Sequence, residues 1–170
     1  MKVEVVESNP SWPDEFNSEK LKLKEALGDL VFKIHHIGST SIPGLAAKPI
    51  IDIILEVNSL DALDKRTSLM TSLGYEAKGE FGIVGRRYFT KGGSSRSHQI
   101  HAFETANENV TRHIAFRDYL KSHPEVMLEY ADLKKKLARE CNDDIDVYCD
   151  GKDEFVKFNE SKAVTWYSNT

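Results

Sequence analysis

The chain has 170 residues, a length that suits one domain and is enough to bury a proper core. At 40% hydrophobic and 29% charged residues it has the composition of a soluble globular protein rather than a disordered one, and no apolar run approaches the roughly 18–20 residues of a membrane span. A net charge of −4 argues against a dedicated nucleic-acid binder, because neutralising phosphates demands a global or local excess of Lys and Arg. The opening MKVEVVESNPSWPDEF has no basic region followed by an apolar stretch, so a cytoplasmic protein without a secretory leader is expected. Cys141 and Cys149, in the acidic segment CNDDIDVYC, match no zinc spacing and are expected to be free thiols.

Alternation over Lys2–Glu7 predicts a short strand, and Pro10 and Pro13 then punctuate the chain before a helix from about Asp14 to Leu27, stopped by Gly28. Two strand-like runs follow, Val31–Gly38 and Pro49–Val57, separated by the turn-rich STSIPGLAAK. The second run is almost wholly apolar, which predicts cover on both faces and a central place in a sheet. A helix from Ser59 or Leu60 to about Leu73, ended by Gly74, comes next. Tyr75–Lys78, Ile83–Thr90 and Ser97–Glu104 read as a meander, with turns at Gly79, Gly82, Gly85 and Gly92-Gly93-Ser94-Ser95. Beyond Asn107 the pattern is helical: Val110–Ser122, Pro124–Glu140 and Asp153–Tyr167. Strands and helices mixed first and helices alone last predict an α+β fold, with a core over about 1–105 and a helical portion over about 106–170 of one domain.

Two features carry chemistry. The Gly38-Ser39-Thr40 turn directly after a strand lets backbone N–H groups approach an anion, and its hydroxyls add donors, so a phosphate would suit it. Asp52 lies among Ile50, Ile51, Ile53, Ile54 and Leu55, where a carboxylate is costly unless paired, hydrogen-bonded or metal-bound. A salt bridge to Lys48 or Arg87 is the bland explanation, and a functional site is the other.

The segment HIGSTSIPGLAAKPIIDIILEV resembles the signature of the bacterial GrpB family, within the nucleotidyltransferase-like superfamily. GRRYFTKG, HQIHAFE, HIAFRDYLKSHPEVMLEYADLKKKLA and the closing Tyr148–Lys152 with Phe155-Val156 resemble further family blocks in the same order, so the likeness covers nearly the whole chain. It implies a mixed sheet flanked by helices, as in polymerase-beta-like proteins, and a kinship with domains fused to dephospho-CoA kinase. In that superfamily a Gly-Ser pair closes the first core strand, and an Asp-x-Asp or Asp-x-Glu pair with a third carboxylate holds two metal ions around a nucleoside triphosphate. Gly38-Ser39 and Asp52 take the first two places, but Ile54 stands where the second carboxylate would be.

Glu56 lies on the correct face but four residues along a strand is about 13 Å, far more than two bridged metals span unless a bulge shortens the path, so it is not counted. His101, on the presumptive strand Ser97–Glu104, is the alternative partner of Asp52 as a metal ligand or acid-base group, or else a half-buried histidine satisfied by a carbonyl. Of Arg86 and Arg87, which alternate, Arg87 is favoured as inward-facing because Lys91 shares its face; an edge strand carrying charge against aggregation is the other reading. Lys134-Lys135-Lys136 reads as a solvated face. The expectation is therefore a nucleotide or phosphorylated metabolite held by Gly38, Ser39, Thr40, Lys48, Arg87 and Lys91, with Mg²⁺ or Mn²⁺ at Asp52 and His101, and possible nucleotidyl transfer. A non-catalytic binding module that has lost the full metal site is the competing expectation.

Overall fold

The computed structural model describes residues 2–170. Helix α1 spans Trp12–Leu27, starting before the expected Asp14 because Pro13 fits the first turn, where its missing N–H costs nothing. Strands β1 (Val31–Ile37) and β2 (Ile51–Val57) follow, joined through a one-turn 3₁₀ helix at Ser39–Ser41. The next helix is broken into α2 (Leu60–Asp64) and α3 (Thr67–Ser72) rather than continuous. Thr67 Oγ1 caps the Asp64 carbonyl at the break and Arg66 donates to the Leu27 carbonyl. Then come β3 (Tyr75–Ala77), β4 (Arg86–Lys91) and β5 (His98–Glu104), and finally α4 (Glu108–Ser122), α5 (Pro124–Glu140) and α6 (Ile145–Ser168).

The five strands form one sheet in the order β1-β2-β5-β4-β3, with β2 and β5 parallel and all other pairs antiparallel. β2 is interior, as its unbroken apolar run predicts. β4 is interior too, so the edge-strand explanation of its charges does not hold. The predicted strand at Lys2–Glu7 reduces to a single bridge between Val6 and Ala47, while Val3 is buried against Cys141 and Tyr148. α6 begins at Ile145, well before the expected Asp153, because Asp144 caps the N–H groups of Asp146 and Val147.

Directly paired residues share a face of a sheet, so the register divides the strands into rows. His36, Ile53, Ile100 and Phe89 form a row turned toward α1, α2 and α3, where the largest core cluster lies. The rows on either side, Ile37-Asp52-Gln99-Thr90 and His35-Ile54-His101-Tyr88, face the opposite way. There Ile37, Ile54 and Phe103 pack with Val110 of α4. α4, α5 and α6 close over the segment after β1, with Leu120, Tyr130 and Phe155 packed in one cluster with Ile42 and Leu45.

Gly38 ends β1 at φ +72° and ψ −175°, a conformation nearly restricted to glycine, and a Cβ there would lie 2.8 Å from Asp52 Oδ2 and 3.1 Å from Asp52 Cβ. The turn thus presses its backbone onto the Asp52 side chain. Gly38→Ala should cost at least about 1–3 kcal/mol from backbone strain alone, measured as a fall in the urea unfolding free energy. An unchanged value would show that the turn tolerates a side chain.

Candidate anion-binding site

The sheet face turned toward the C-terminal helices carries a small cavity of about 60 Å³. Ser39 and Thr40 from the turn, Lys48 from the connector, Asp52 from β2, Gln99 from β5, Lys134 from α5 and Tyr148 and Lys152 from α6 line it. Lys134 is only 1% exposed, and its Nζ donates to Ser39 Oγ at 2.7 Å. The Lys48 and Lys152 ammonium groups stand 5.4 and 4.9 Å from the ring of fully buried Tyr148, within cation–π range, and Lys134 stands 4.5 Å from the ring of Tyr130. None of the three lysines has a carboxylate within ion-pair distance among the described residues.

Burial, reinforced by the charges of Lys152 and Lys48, lowers the Lys134 pKa to about 6. Loss of water likewise lowers Lys48, with Lys152 adding to it, and lowers Lys152 itself. Three lysines around a polar cavity, none paired with a carboxylate, oppose one another's protonation, and a negative group there would offset that repulsion.

Asp52 makes neither expected salt bridge, to Lys48 or to Arg87. Its Oδ1 lies 3.4 Å from His101 Nε2, so the structure brings these two predicted residues together. Arg86, not Arg87, shares their face, and its Nη1 lies 3.3 Å from His101 Nδ1. Arginine only donates, so Nδ1 accepts and Nε2 carries the proton toward Asp52. A metal on His101 would need a free lone pair where that N–H stands. No three His, Cys, Asp or Glu side chains converge among the described residues, and the position for a second carboxylate is Ile54, 0% exposed. These residues do not fit a divalent ion held by the protein.

Arg87 and Lys91 are corrections. Alternation turns both to the α1 side, where Arg87 forks onto Asp64 at 2.8 and 3.1 Å and Lys91 Nζ pairs with Glu19 at 3.0 Å. Glu56, excluded as a site residue, bonds His35 in a buried pair. Thr40 Oγ1 is engaged by His36 Nε2 at 2.9 Å, and burial holds His36 near pKa 4 and therefore neutral at pH 7.

Lys134 and Lys152 were missed as site residues, although a signal existed. Tyr130, Lys134 and Leu137 fall at i, i+4 and i+7, as do Tyr148, Lys152 and Phe155, so each lysine lies on the stripe that faces the core. The Lys134-Lys135-Lys136 run conceals this, because Lys135 does meet solvent and pairs with Glu7. Gly151 lets the two helices approach: a Cβ there would stand 2.3 Å from Leu137 Cδ2.

The five-stranded mixed sheet closed by helices is a nucleotidyltransferase-like α+β fold. The backbone is similar to that of a cytoplasmic RNA terminal U-transferase with a TM-score of 0.50 over 76% of this chain and 42% of that one, a likeness of fold alone at 13% identity. The family model described as GrpB protein matches residues 2–162, and the chain belongs to that family. The crystal structure of the conserved protein GrpB from Enterococcus faecalis superposes with a TM-score of 0.93 at 42% identity, covering 96% of this chain and 99% of that one. The UPF0157 protein YqkA of Bacillus subtilis is 49% identical over 165 residues, 97% of this chain but 48% of YqkA. A dephospho-CoA kinase of Mycolicibacterium paratuberculosis is 28% identical over 193 residues, 99% of this chain and 47% of the kinase. The chain thus spans about half the length of these two relatives.

Two stability predictions follow from the charges. An unfolded lysine keeps its proton up to about 10.5, whereas folded Lys134 releases it near 6, so between these values the unfolded state binds more protons and unfolding free energy rises with pH. Lys134→Met should be the more stable protein at pH 7 and should show a flatter rise from pH 7 to 9 in urea titrations. That range lies above the His36 and His113 transitions, which burial lowers to about 4 and about 3. Conversely, Ile54→Asp, which restores the superfamily spacing, should cost about 3–5 kcal/mol as an uncompensated buried charge, seen as a lower melting temperature that Mg²⁺ does not recover.

Proposed function

We propose that this GrpB-family chain binds a phosphorylated small molecule, a nucleotide or a phosphorylated metabolite, in the cavity between Ser39, Asp52 and the three lysines. The observation that carries the reading is Lys134, a buried amine with no carboxylate partner, whose neighbours are two further lysines and the Ser39 hydroxyl. Holding it protonated there costs several kcal/mol unless an anion pairs with it. A phosphoryl group supplies acceptors to all of them at once, with Lys48 and Lys152 as clamps and Thr40 and Gln99 at the wall. Binding draws protons onto Lys134, so affinity increases as pH falls toward 6.

The partner is a small molecule in the cytoplasm rather than nucleic acid: the chain's net charge is −4, and its lysines are gathered in a pocket instead of along a surface groove. No described helix is long and apolar enough to cross a membrane. Isothermal titration with inorganic phosphate, ADP, ATP, CTP and UTP, each in EDTA and then with Mg²⁺, tests the reading. Saturable binding in EDTA, weakened at least tenfold in Lys134→Met, is expected. No binding of any of these, or equal affinity in the variant, would overturn it.

Nucleotidyl transfer is the second reading, favoured by Asp52 lining the same cavity as Ser39. It requires a labelled nucleotide to pass to an acceptor in wild type, and Asp52→Asn to abolish that transfer while retaining binding. Binding without turnover identifies the non-catalytic module.

A further inference from the structure

Beside the lysine cavity lies a larger basin of about 290 Å³, and Lys48 and Ile50 line both. Its other walls come from Lys2 and Glu4 of the N-terminal segment and from Ser94, Ser95 and Arg96 in the loop between β4 and β5. Arg96 Nε is the one buried side-chain nitrogen or oxygen without a hydrogen-bond partner among the described residues. Such an N–H is costly to leave unsatisfied, the more so when it belongs to a cation, so it calls for an acceptor. The loop holding it is fixed rather than loose. Gly92 adopts φ +100° where a Cβ would stand 2.4 Å from the Ser95 carbonyl, and Ser95 N–H and Ser97 N–H close turns onto Gly92 and Lys91 at 2.9 Å each.

The chemistry of the basin is selective. Two lysines, one arginine and two serine hydroxyls face a single carboxylate, Glu4, and no aromatic ring lines the wall. A nucleobase would find no surface to stack on there. An anion would find charged donors in Lys2, Lys48 and Arg96. Lys48 connects this basin to the lysine cavity and can be shared by two anionic groups.

Resting on the binding reading above, we propose that the basin is a second anion subsite centred on Arg96, so that the ligand spans both cavities with linked phosphoryl groups and a monophosphate fills only half the site. Inorganic phosphate, pyrophosphate and tripolyphosphate are the probes, titrated calorimetrically into wild type, Arg96→Gln and Ser95→Glu. Ser95 is exposed, so Ser95→Glu puts a carboxylate at the basin without touching the core. Wild type is expected to bind tripolyphosphate at least tenfold more tightly than phosphate. Both variants are expected to reduce that advantage to less than threefold while leaving phosphate affinity within twofold of wild type.

Equal affinities in wild type, or an advantage kept by both variants, would overturn the second subsite while leaving the lysine cavity as a phosphate site. Variants that weaken phosphate and tripolyphosphate alike would also overturn it, since the basin would then be no separate subsite. Failure of wild type to bind any of the three probes would remove the binding reading itself.

Discussion

The hydrogen bond from Lys134 Nζ to Ser39 Oγ, 2.7 Å long and part-buried, ties the helical third of the chain to the first turn of the sheet. It spans the two parts of the molecule that strand and helix patterning separate. On one side, Ser39 is held by a turn whose glycine has no room for a side chain above Asp52. On the other, Lys134 is carried in by α5, which α6 approaches closely at Gly151. The bond is worth only a kcal/mol or so net, and it does not offset the cost of desolvating an ammonium group. What fixes Lys134 there is the packing of Tyr130, Ala131 and Leu120 around the same helix face. The apolar core therefore holds a lysine in a place where its protonation would oppose folding.

The same trade-off explains the distribution of ionic partners across the sheet. On the α1 side, the cations turned toward the helices are neutralised in place: Arg87 by Asp64 and Lys91 by Glu19, which also accepts from Tyr75. On the opposite face Glu56 is matched with His35, and Arg86 is spent on the Glu80 and Phe81 carbonyls and on His101. Among the described residues, the lysine cavity and the basin beside it instead gather cations around a single carboxylate each. Charge left uncompensated in a cavity, where the rest of the sheet pairs its charges, marks a candidate functional site rather than a structural network.

Much of this was legible in the sequence. The apolar run over Ile51–Val57 marked an interior strand, and Gly38-Ser39 and Asp52 converge as their motif implied. Helix boundaries at Pro124–Glu140 needed no tertiary information, since Pro124 is a start signal in its own right. The choice between Arg86 and Arg87 was not legible, because strict alternation offers two faces and assigns neither to the core. Pairing register decides it: Arg87 stands opposite Ala102 and Arg86 opposite Phe103, and only β2, beyond β5, tells which row holds Asp52. Lys134 was obscured by a different cause. A lysine on the apolar stripe of a helix is usually a stem lying along the surface with its head in water, and only the closing of α6 over that head removes the water.

Ile54 remains the residue that most constrains chemistry. In the row His35-Ile54-His101-Tyr88 it separates two histidines, each already committed: His35 to Glu56 and His101 to Asp52 and Arg86. A carboxylate there would compete for both and would have to displace the contacts of Ile37, Phe103 and Val110. The loss of the second carboxylate is therefore not a single vacancy that one substitution refills. His101 has been drawn into a hydrogen-bonded chain running Arg86-His101-Asp52, and the positive groups lining the cavity with Asp52 are lysines from the connector, α5 and α6. Lysines can hold a phosphoryl group without bridging it to a second carboxylate, which favours recognition of the ligand over its two-metal activation.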